Sequence, residues 1–293
     1  MAHRLEHIYT IGLGLIGGSL LKDLRILHPE ASLYGIDTNP EHLEEAISLG
    51  LVDAAATIDD LSKADLVILA IPVDRARAIV SAVLDAVADS TLVVDMGSTK
   101  AGICAEVKQH PKRRNYLAMH PIAGTEFSGP GAAVTGLFKG KTNIICEVEK
   151  TTFALQELGL QLTKDLGMRI RYMDAESHDK HIAYVSHLSH ISSFMLGKTV
   201  MDIEKDEQDI FDLAGSGFES TVRLAKSNPD MWAPIFSQNK DYLLECLSAY
   251  IANLETFKAY VEASDEERMH SEMQQINKIK DILNGISLGE HNI

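Results

Sequence analysis

Ile8-Tyr9-Thr10-Ile11-Gly12-Leu13-Gly14-Leu15-Ile16-Gly17-Gly18-Ser19-Leu20-Leu21 joins a short β-branched run to a glycine loop and then to apolar residues at helical spacing. The pattern reads as a strand, a tight turn and the start of a helix. Gly12 suits the turn, Gly14 lets a pyrophosphate approach the backbone, and Gly17 lets the helix pack on the strand. The free N–H groups opening the helix, at Leu15 and Ile16, would then face the phosphates. Alone, G-x-G-x-x-G also fits a purely structural turn. Here Ser32-Leu33-Tyr34-Gly35-Ile36-Asp37 supplies a second strand that ends in an acid twenty residues past Gly17, placed to bind a ribose 2′-OH. Asp37 is followed by Thr38 and Asn39 with no nearby arginine, which favours NAD over NADP because a carboxylate repels the extra phosphate.

Working outward, the alternation of strands and helices continues. Asp65 to Ile71 is a continuous apolar run ended by Pro72, as expected of a central parallel strand with Pro72 at its carboxyl end beside the cofactor. Thr91 to Asp95 is the next strand and delivers Met96-Gly97-Ser98-Thr99-Lys100, bringing Ser98 near the crevice. Tyr116 to Met119 delivers His120-Pro121-Ile122-Ala123-Gly124-Thr125-Glu126 into a glycine-rich loop. Thr142 to Val148 and Arg169 to Met173 complete the strands. After Asp174 the grammar changes to long helical patterns. The expected fold is therefore a doubly wound, mostly parallel α/β Rossmann domain over residues 1–174, followed by an all-α domain over residues 175–293.

The chain has 293 residues and a formal charge of −15, which argues against nucleic acid or an anionic membrane as partner. A small anionic substrate then needs a local cationic pocket. Cys104, Cys146 and Cys246 are too few and too scattered for a disulfide framework or a zinc site, so a reducing cytoplasm is expected. The N-terminus enters the first strand without a long apolar leader, and no run reaches the length of a membrane span. The stretch from His178 to Lys198 is apolar nearly all round, as expected of a helix buried between two subunits of a homodimer.

A dinucleotide crevice implies hydride transfer, but side chains must choose the reaction. His120 is the leading candidate because it ends a strand beside the nicotinamide position and titrates near neutral pH. The competing reading is a loop histidine bonded to backbone. Glu126 either polarises the same pocket or is a solvated carboxylate. His178, His181, His187 and His190 form two H-x-x-H pairs, yet at 100° per residue these lie on different faces with no further ligand, so no metal is expected. For His187 and His190 substrate contact and core packing both remain open. Arg223 follows Gly215-Ser216-Gly217 and suits a carboxylate, or is simply solvated.

Taken together, the glycine loop, Asp95 to Lys100, His120 to Glu126, Ser186-His187-Leu188-Ser189-His190, and Arg223 through Pro229-Asp230-Met231-Trp232 stand in the order of one family. Over nearly its whole length the chain resembles the prephenate and arogenate dehydrogenases of tyrosine biosynthesis. The resemblance implies an N-terminal NAD-binding domain, a C-terminal helical dimerisation domain, and oxidative decarboxylation of prephenate to 4-hydroxyphenylpyruvate, CO₂ and NADH. By the same match, His120 takes the C4 hydroxyl proton while Ser98 bonds near that hydroxyl and the cofactor. His190 and Arg223 would hold substrate carboxylates, Glu126, His187 and Trp232 would line the pocket, and Lys240 is a further candidate. Ser189 stands where the family often has proline, and Ser220 where it commonly has aspartate. A monofunctional form is expected, with prephenate as substrate and arogenate as the alternative. Two rivals are a hydroxy-acid dehydrogenase or imine reductase of similar architecture, and a non-catalytic NAD-sensing module. The first lacks a matched catalytic lysine, and the second leaves Ser98, His120 and Arg223 unexplained.

Overall fold

The computed structural model describes residues 5–125, 127–207 and 211–288. The opening stretch forms β1 (His7–Ile11) and α1 (Leu15–Leu27), and the chain continues through β2 (Ser32–Ile36), α2 (Pro40–Ser48) and the two-residue β3 (Ala54–Ala55). Next come β4 (Leu66–Leu69), α3 (Val73–Ala86), β5 (Leu92–Asp95), α4 (Ala101–Val107), β6 (Tyr116–Pro121), β7 (Thr142–Cys146), α5 (Phe153–Asp165) and β8 (Arg169–Met173). All eight strands form one sheet in the order β3-β2-β1-β4-β5-β6-β7-β8. The first six in that order are parallel, and β7 turns antiparallel to β6 before β8 follows it in parallel. The strand order reverses at β1 and β4, so the ligand crevice of a doubly wound sheet opens beyond the carboxyl ends of these two strands.

The glycines of the loop divide the work as their spacing suggests. Gly12 has φ +95°, a conformation that strains residues with a Cβ, and its N–H donates to the Ile36 carbonyl at 2.8 Å. A Cβ on Gly17 would lie 2.0 Å from the Gly12 carbonyl oxygen, so the absence of a side chain there lets α1 sit against β1. A Cβ on Gly14 would meet nothing within 4 Å, which leaves the backbone open on the side a phosphate approaches.

Strand parity sorts the core into two layers. Leu66 and Ile68 of β4, Leu92 and Val94 of β5, and Leu117 and Met119 of β6 face one layer together with Leu20, Leu24 and Leu155. Val67, Leu69, Val93, Tyr116 and Ala118 face the other, with Val80, Val83, Ile103 and Ala175. Such double-sided burial explains why these strands read as unbroken apolar runs. It also fixes the face of His120, because two-residue periodicity puts it with Tyr116 and Ala118.

After β8 the chain is helical: α6 (Ala175–Ile182), a π-helical turn at Ala183–His187, α7 (Leu188–Glu207), α8 (Ser216–Val222), α9 (Pro229–Gln238), α10 (Lys240–Glu262), α11 (Glu266–Ile276) and α12 (Ile279–Leu288). The single helix expected from His178 to Lys198 is thus interrupted. The wider π turn changes the angular register, so the uniform 100° per residue used to place the four histidines does not hold across it. Met1–Lys240 forms one compact unit and Asp241–Ile293 a second. The first extends past β8 because Trp232 and Ile235 of α9 pack on Val73, while Thr99 Oγ1 donates to Gln238 Oε1 at 3.1 Å.

Candidate active site

At the carboxyl end of β1 the Asp37 carboxylate braces the glycine loop, accepting the Leu13 N–H on Oδ2 and the Asn39 N–H on Oδ1, each at 2.9 Å. His42 Nδ1 lies 3.8 Å from Asp37 Oδ2. Gly14 and Ile16 are half-buried, Leu15 is buried, and Pro72 is exposed at the head of α3. The open space at Gly14, the helix N-terminus behind it and the acid after β2 fit a dinucleotide with an unmodified 2′-OH.

One strand over, the loop after β5 is clamped from beneath. Lys100 is fully buried, and its ammonium donates to Asp95 Oδ2 and, at 2.8 Å, to the Met119 carbonyl. Tyr116 donates its phenol O–H to the other oxygen of Asp95, and burial followed by the Asp95 charge holds that phenol far above its ordinary pKa. A buried charge pair with every group bonded fixes the Gly97–Lys100 turn and so the half-buried Ser98.

His120 lies within β6 rather than in the following loop, because β7 extends the ladder past it and pairs Ile144 with it. It is 8% exposed, and its Nδ1 lies 2.8 Å from His178 Nε2 on α6. Burial, then the neighbouring His178, Lys100 and His187, push its pKa well below 6.5. The expectation of a histidine titrating near neutrality is therefore corrected for the free protein, where the imidazole is neutral. His178 Nδ1 in turn donates to Asp179 Oδ1 at 2.7 Å. Asp179 also accepts the backbone N–H groups of Lys100, on Oδ1 at 2.7 Å, and Ala101, on Oδ2 at 2.9 Å.

A second cluster adjoins the first through Asn239, whose amide donates to the Asp179 carbonyl at 2.7 Å and to His187 Nδ1 at 3.1 Å. His187 is fully buried, and burial above all lowers its pKa to about 4. Its ring meets Trp232 edge-on at 5.9 Å, while His190 stacks on the same indole at 3.5 Å. His190 Nδ1 donates to the Ser186 carbonyl at 2.9 Å, and its pKa falls through burial, with Arg223 adding to the shift. Arg223 thus shares the electrostatic environment of His190, with its own side chain exposed. His187 Nε2 and Trp232 Nε1 are buried without a hydrogen-bond partner.

The structure therefore brings His120 next to His178 and joins His187, His190 and Trp232 into one ring cluster. Lys240 is exposed at the start of α10, His181 is exposed on α6, and Glu126 lies outside the described residues. Sequence reasoning passed over Asp179 and Asn239, and it treated His178 only as a rejected metal ligand. The separation of 58 positions between His120 and His178 carries no spacing signal. Among the described residues, no group of three or more His, Cys, Asp or Glu side chains is disposed to hold a metal ion.

A doubly wound sheet with an open glycine turn at a helix N-terminus and an acid closing the second strand is the architecture of the Rossmann-type, dinucleotide-dependent dehydrogenases. Within that class, the nucleotide-binding domain of prephenate dehydrogenase matches residues 20–172, and the prephenate dehydrogenase dimerization domain matches residues 174–275. The chain belongs to the prephenate dehydrogenase family. It is 30% identical to prephenate dehydrogenase from Bacillus subtilis, over 97% of this chain and 76% of that protein. The crystal structure of Aquifex aeolicus prephenate dehydrogenase in complex with hydroxyphenyl propionate and NAD⁺ superposes with a TM-score of 0.87 at 31% identity, covering 96% of this chain and 99% of that one. Arogenate dehydrogenase from Synechocystis superposes with a TM-score of 0.75 at 27% identity, over 94% and 99% of the two chains.

Proposed function

We propose that this chain oxidises prephenate with NAD, releasing 4-hydroxyphenylpyruvate, CO₂ and NADH, and that His120 and Ser98 act on the reacting hydroxyl. The observation that carries this reading is a buried His120 at the carboxyl end of β6, 2.8 Å from His178 and one strand over from the β5 end that leads into the clamped Ser98 turn. Gly12, Gly14, Leu15, Ile16, Gly17, Asp37, Pro72 and Ser98 hold the cofactor. When bound, NAD supplies the acceptor for the hydride leaving C4. His120 accepts the C4 hydroxyl proton as the carbonyl forms. The ring carboxylate then departs as CO₂, the electron pair of the broken bond completes the aromatic ring, and the phenolate oxygen so formed takes the proton back from His120.

His190 and Arg223 hold the carboxylates, and the unpartnered N–H groups of Trp232 and His187 are further donors to substrate oxygen. Glu126 and Lys240 are further substrate-binding candidates by the family resemblance. A dianion beside His120 and His190 raises both pKa values, countering the burial that keeps them neutral in the free protein. A net charge of −15 makes such local donors necessary. Arogenate is the alternative substrate, favoured by the similarity to the Synechocystis enzyme.

Residues 1–174 serve the cofactor, and residues 175–293 serve substrate binding and dimerisation. Val185 at 73% and Met195 at 51% exposure are apolar side chains that a homodimer interface would cover. Light scattering should return twice the 32.1 kDa of one chain, and a single-chain mass contradicts the dimer. No helix of the described residues is long and apolar enough to cross a membrane, and the three buried free thiols suit a reducing cytoplasm. Turnover of prephenate or arogenate with NAD tests the assignment, and no reduction of NAD with either substrate sinks it.

A further inference from the structure

We propose that Asp179 and His178 are positioning residues that set the tautomer of His120, so that it meets the substrate with an unprotonated Nε2. The proposal rests on the reading of His120 as proton acceptor. A carboxylate only accepts hydrogen bonds, so the 2.7 Å contact places a proton on His178 Nδ1. The alternative tautomer would set two lone pairs against each other. His178 is buried and its pKa is lowered, so it carries no second proton and offers Nε2 as a lone pair. His120 Nδ1 lies 2.8 Å from that atom and must be the donor. The one proton of a neutral His120 is thereby committed to Nδ1, and Nε2 is left as the base.

The carboxylate cannot rotate out of this role without losing other bonds. Its oxygens accept the Lys100 and Ala101 N–H groups, and Asn239 pins the Asp179 carbonyl. The Lys100 N–H belongs to the turn that carries Ser98. One side chain therefore sets both the protonation state of His120 and the position of the loop that supplies its partner at the reacting hydroxyl. When His120 takes the substrate proton, its Nδ1–H bond to His178 strengthens, and the Asp179 charge stabilises the imidazolium. The groups facing His120 are His178, Lys100 and His187, with Asp179 behind His178 and Asp95 beneath Lys100. Of these, Asp179 is the anion that reaches His120 through a chain of hydrogen bonds.

Three variants and one spectrum test the relay. Asp179→Asn removes the charge, and an NH₂ at the Oδ1 position would give up the Lys100 N–H bond and donate to His178 Nδ1, which reverses the chain and puts the proton on His120 Nε2. With NAD and prephenate, Asp179→Asn and His178→Leu should each lower kcat by about 10²-fold or more, with KM changed less than about threefold. His178→Gln, whose amide oxygen can accept from His120, should retain roughly tenfold more activity than His178→Leu. Loss of the anion disfavours the protonated imidazole, so the acid limb of kcat/KM in Asp179→Asn should move to lower pH. Nitrogen NMR of ¹⁵N-histidine-labelled wild-type chain should find His120 and His178 protonated on Nδ1. A proton on His120 Nε2 overturns the proposal even if Asp179→Asn fails to fold. If His120→Asn abolishes turnover while folded Asp179→Asn and His178→Leu keep wild-type kcat, the relay is wrong and the role of His120 stands. If His120→Asn itself turns over normally, the underlying reading is wrong.

Discussion

Replacing Gly14 and Gly17 singly by alanine separates binding from folding within one loop. Gly14 has φ −71° and ψ −162°, extended backbone that alanine adopts without strain, and its added methyl meets nothing within 4 Å. Alanine is a poorer helix N-cap than glycine but restricts the unfolded chain, so Gly14→Ala should stay within about 1 kcal/mol of wild type. For Gly17 the methyl would lie 2.0 Å from the Gly12 carbonyl oxygen. That oxygen is backbone, on a residue whose N–H is tied to Ile36, so α1 must move away from β1. Overpacking of this kind costs about 1–3 kcal/mol, or roughly 2–10 °C in Tm for a unit of this size. The methyl on Gly14 instead occupies the approach of the pyrophosphate, where a loss of about 10- to 100-fold in NAD affinity is worth about 1.4–2.7 kcal/mol. Scanning calorimetry and calorimetric titration with NAD measure the two effects separately. Wild-type NAD affinity in Gly14→Ala, or a Gly17→Ala protein as stable as wild type, refutes the assignment of the glycines.

Arg223→Ala should raise the KM for prephenate by about 10- to 100-fold and change kcat less than about threefold, because the guanidinium holds a carboxylate remote from C4; a collapse of kcat at unchanged KM in steady-state assays would place it at the reaction instead. Stability should fall as pH drops below about 6.5, because the unfolded chain then binds protons that buried His187, with its pKa lowered to about 4, refuses. Over the window from 6.5 to about 4 this histidine accounts for about 3 kcal/mol, with His120, His178 and His190 acting in the same direction. Urea unfolding across that window measures the decline, and a flat profile contradicts the burial of the cluster.

The glycine loop, the strand starts and the switch to helices after Asp174 were legible because each is a local pattern. Gly12, Gly14 and Gly17 have the three distinct environments their spacing implies. Other elements carry no local mark. β3 is two alanines, α4 is too short for its periodicity to stand out, and the reversal of β7 depends on which edge the chain returns to rather than on composition. The place of His120 at a strand end is legible from position, but its lowered pKa follows from burial against α6, which the strand alone does not reveal. Its partner His178 is set by strand parity on one side and helix phase on the other. Asp179 reads in sequence as an ordinary helical acid, and only the packing of α6 against the start of α4 brings its carboxylate onto the Lys100 and Ala101 N–H groups. The π turn at Ala183–His187 changes the helical phase between the two histidine pairs, so uniform helical spacing does not reveal that His187 and His190 flank one indole.

The central claim is that His120 acts as proton acceptor in an NAD-dependent oxidation of prephenate. Its most direct measurement compares wild type with His120→Asn at saturating NAD and prephenate, following nicotinamide reduction and substrate affinity together. Wild type should form one NADH for each CO₂ released, and His120→Asn should lose several orders of magnitude in kcat while binding prephenate with little change. Near-normal turnover by His120→Asn, or no NADH from the wild-type chain with either prephenate or arogenate, would contradict it.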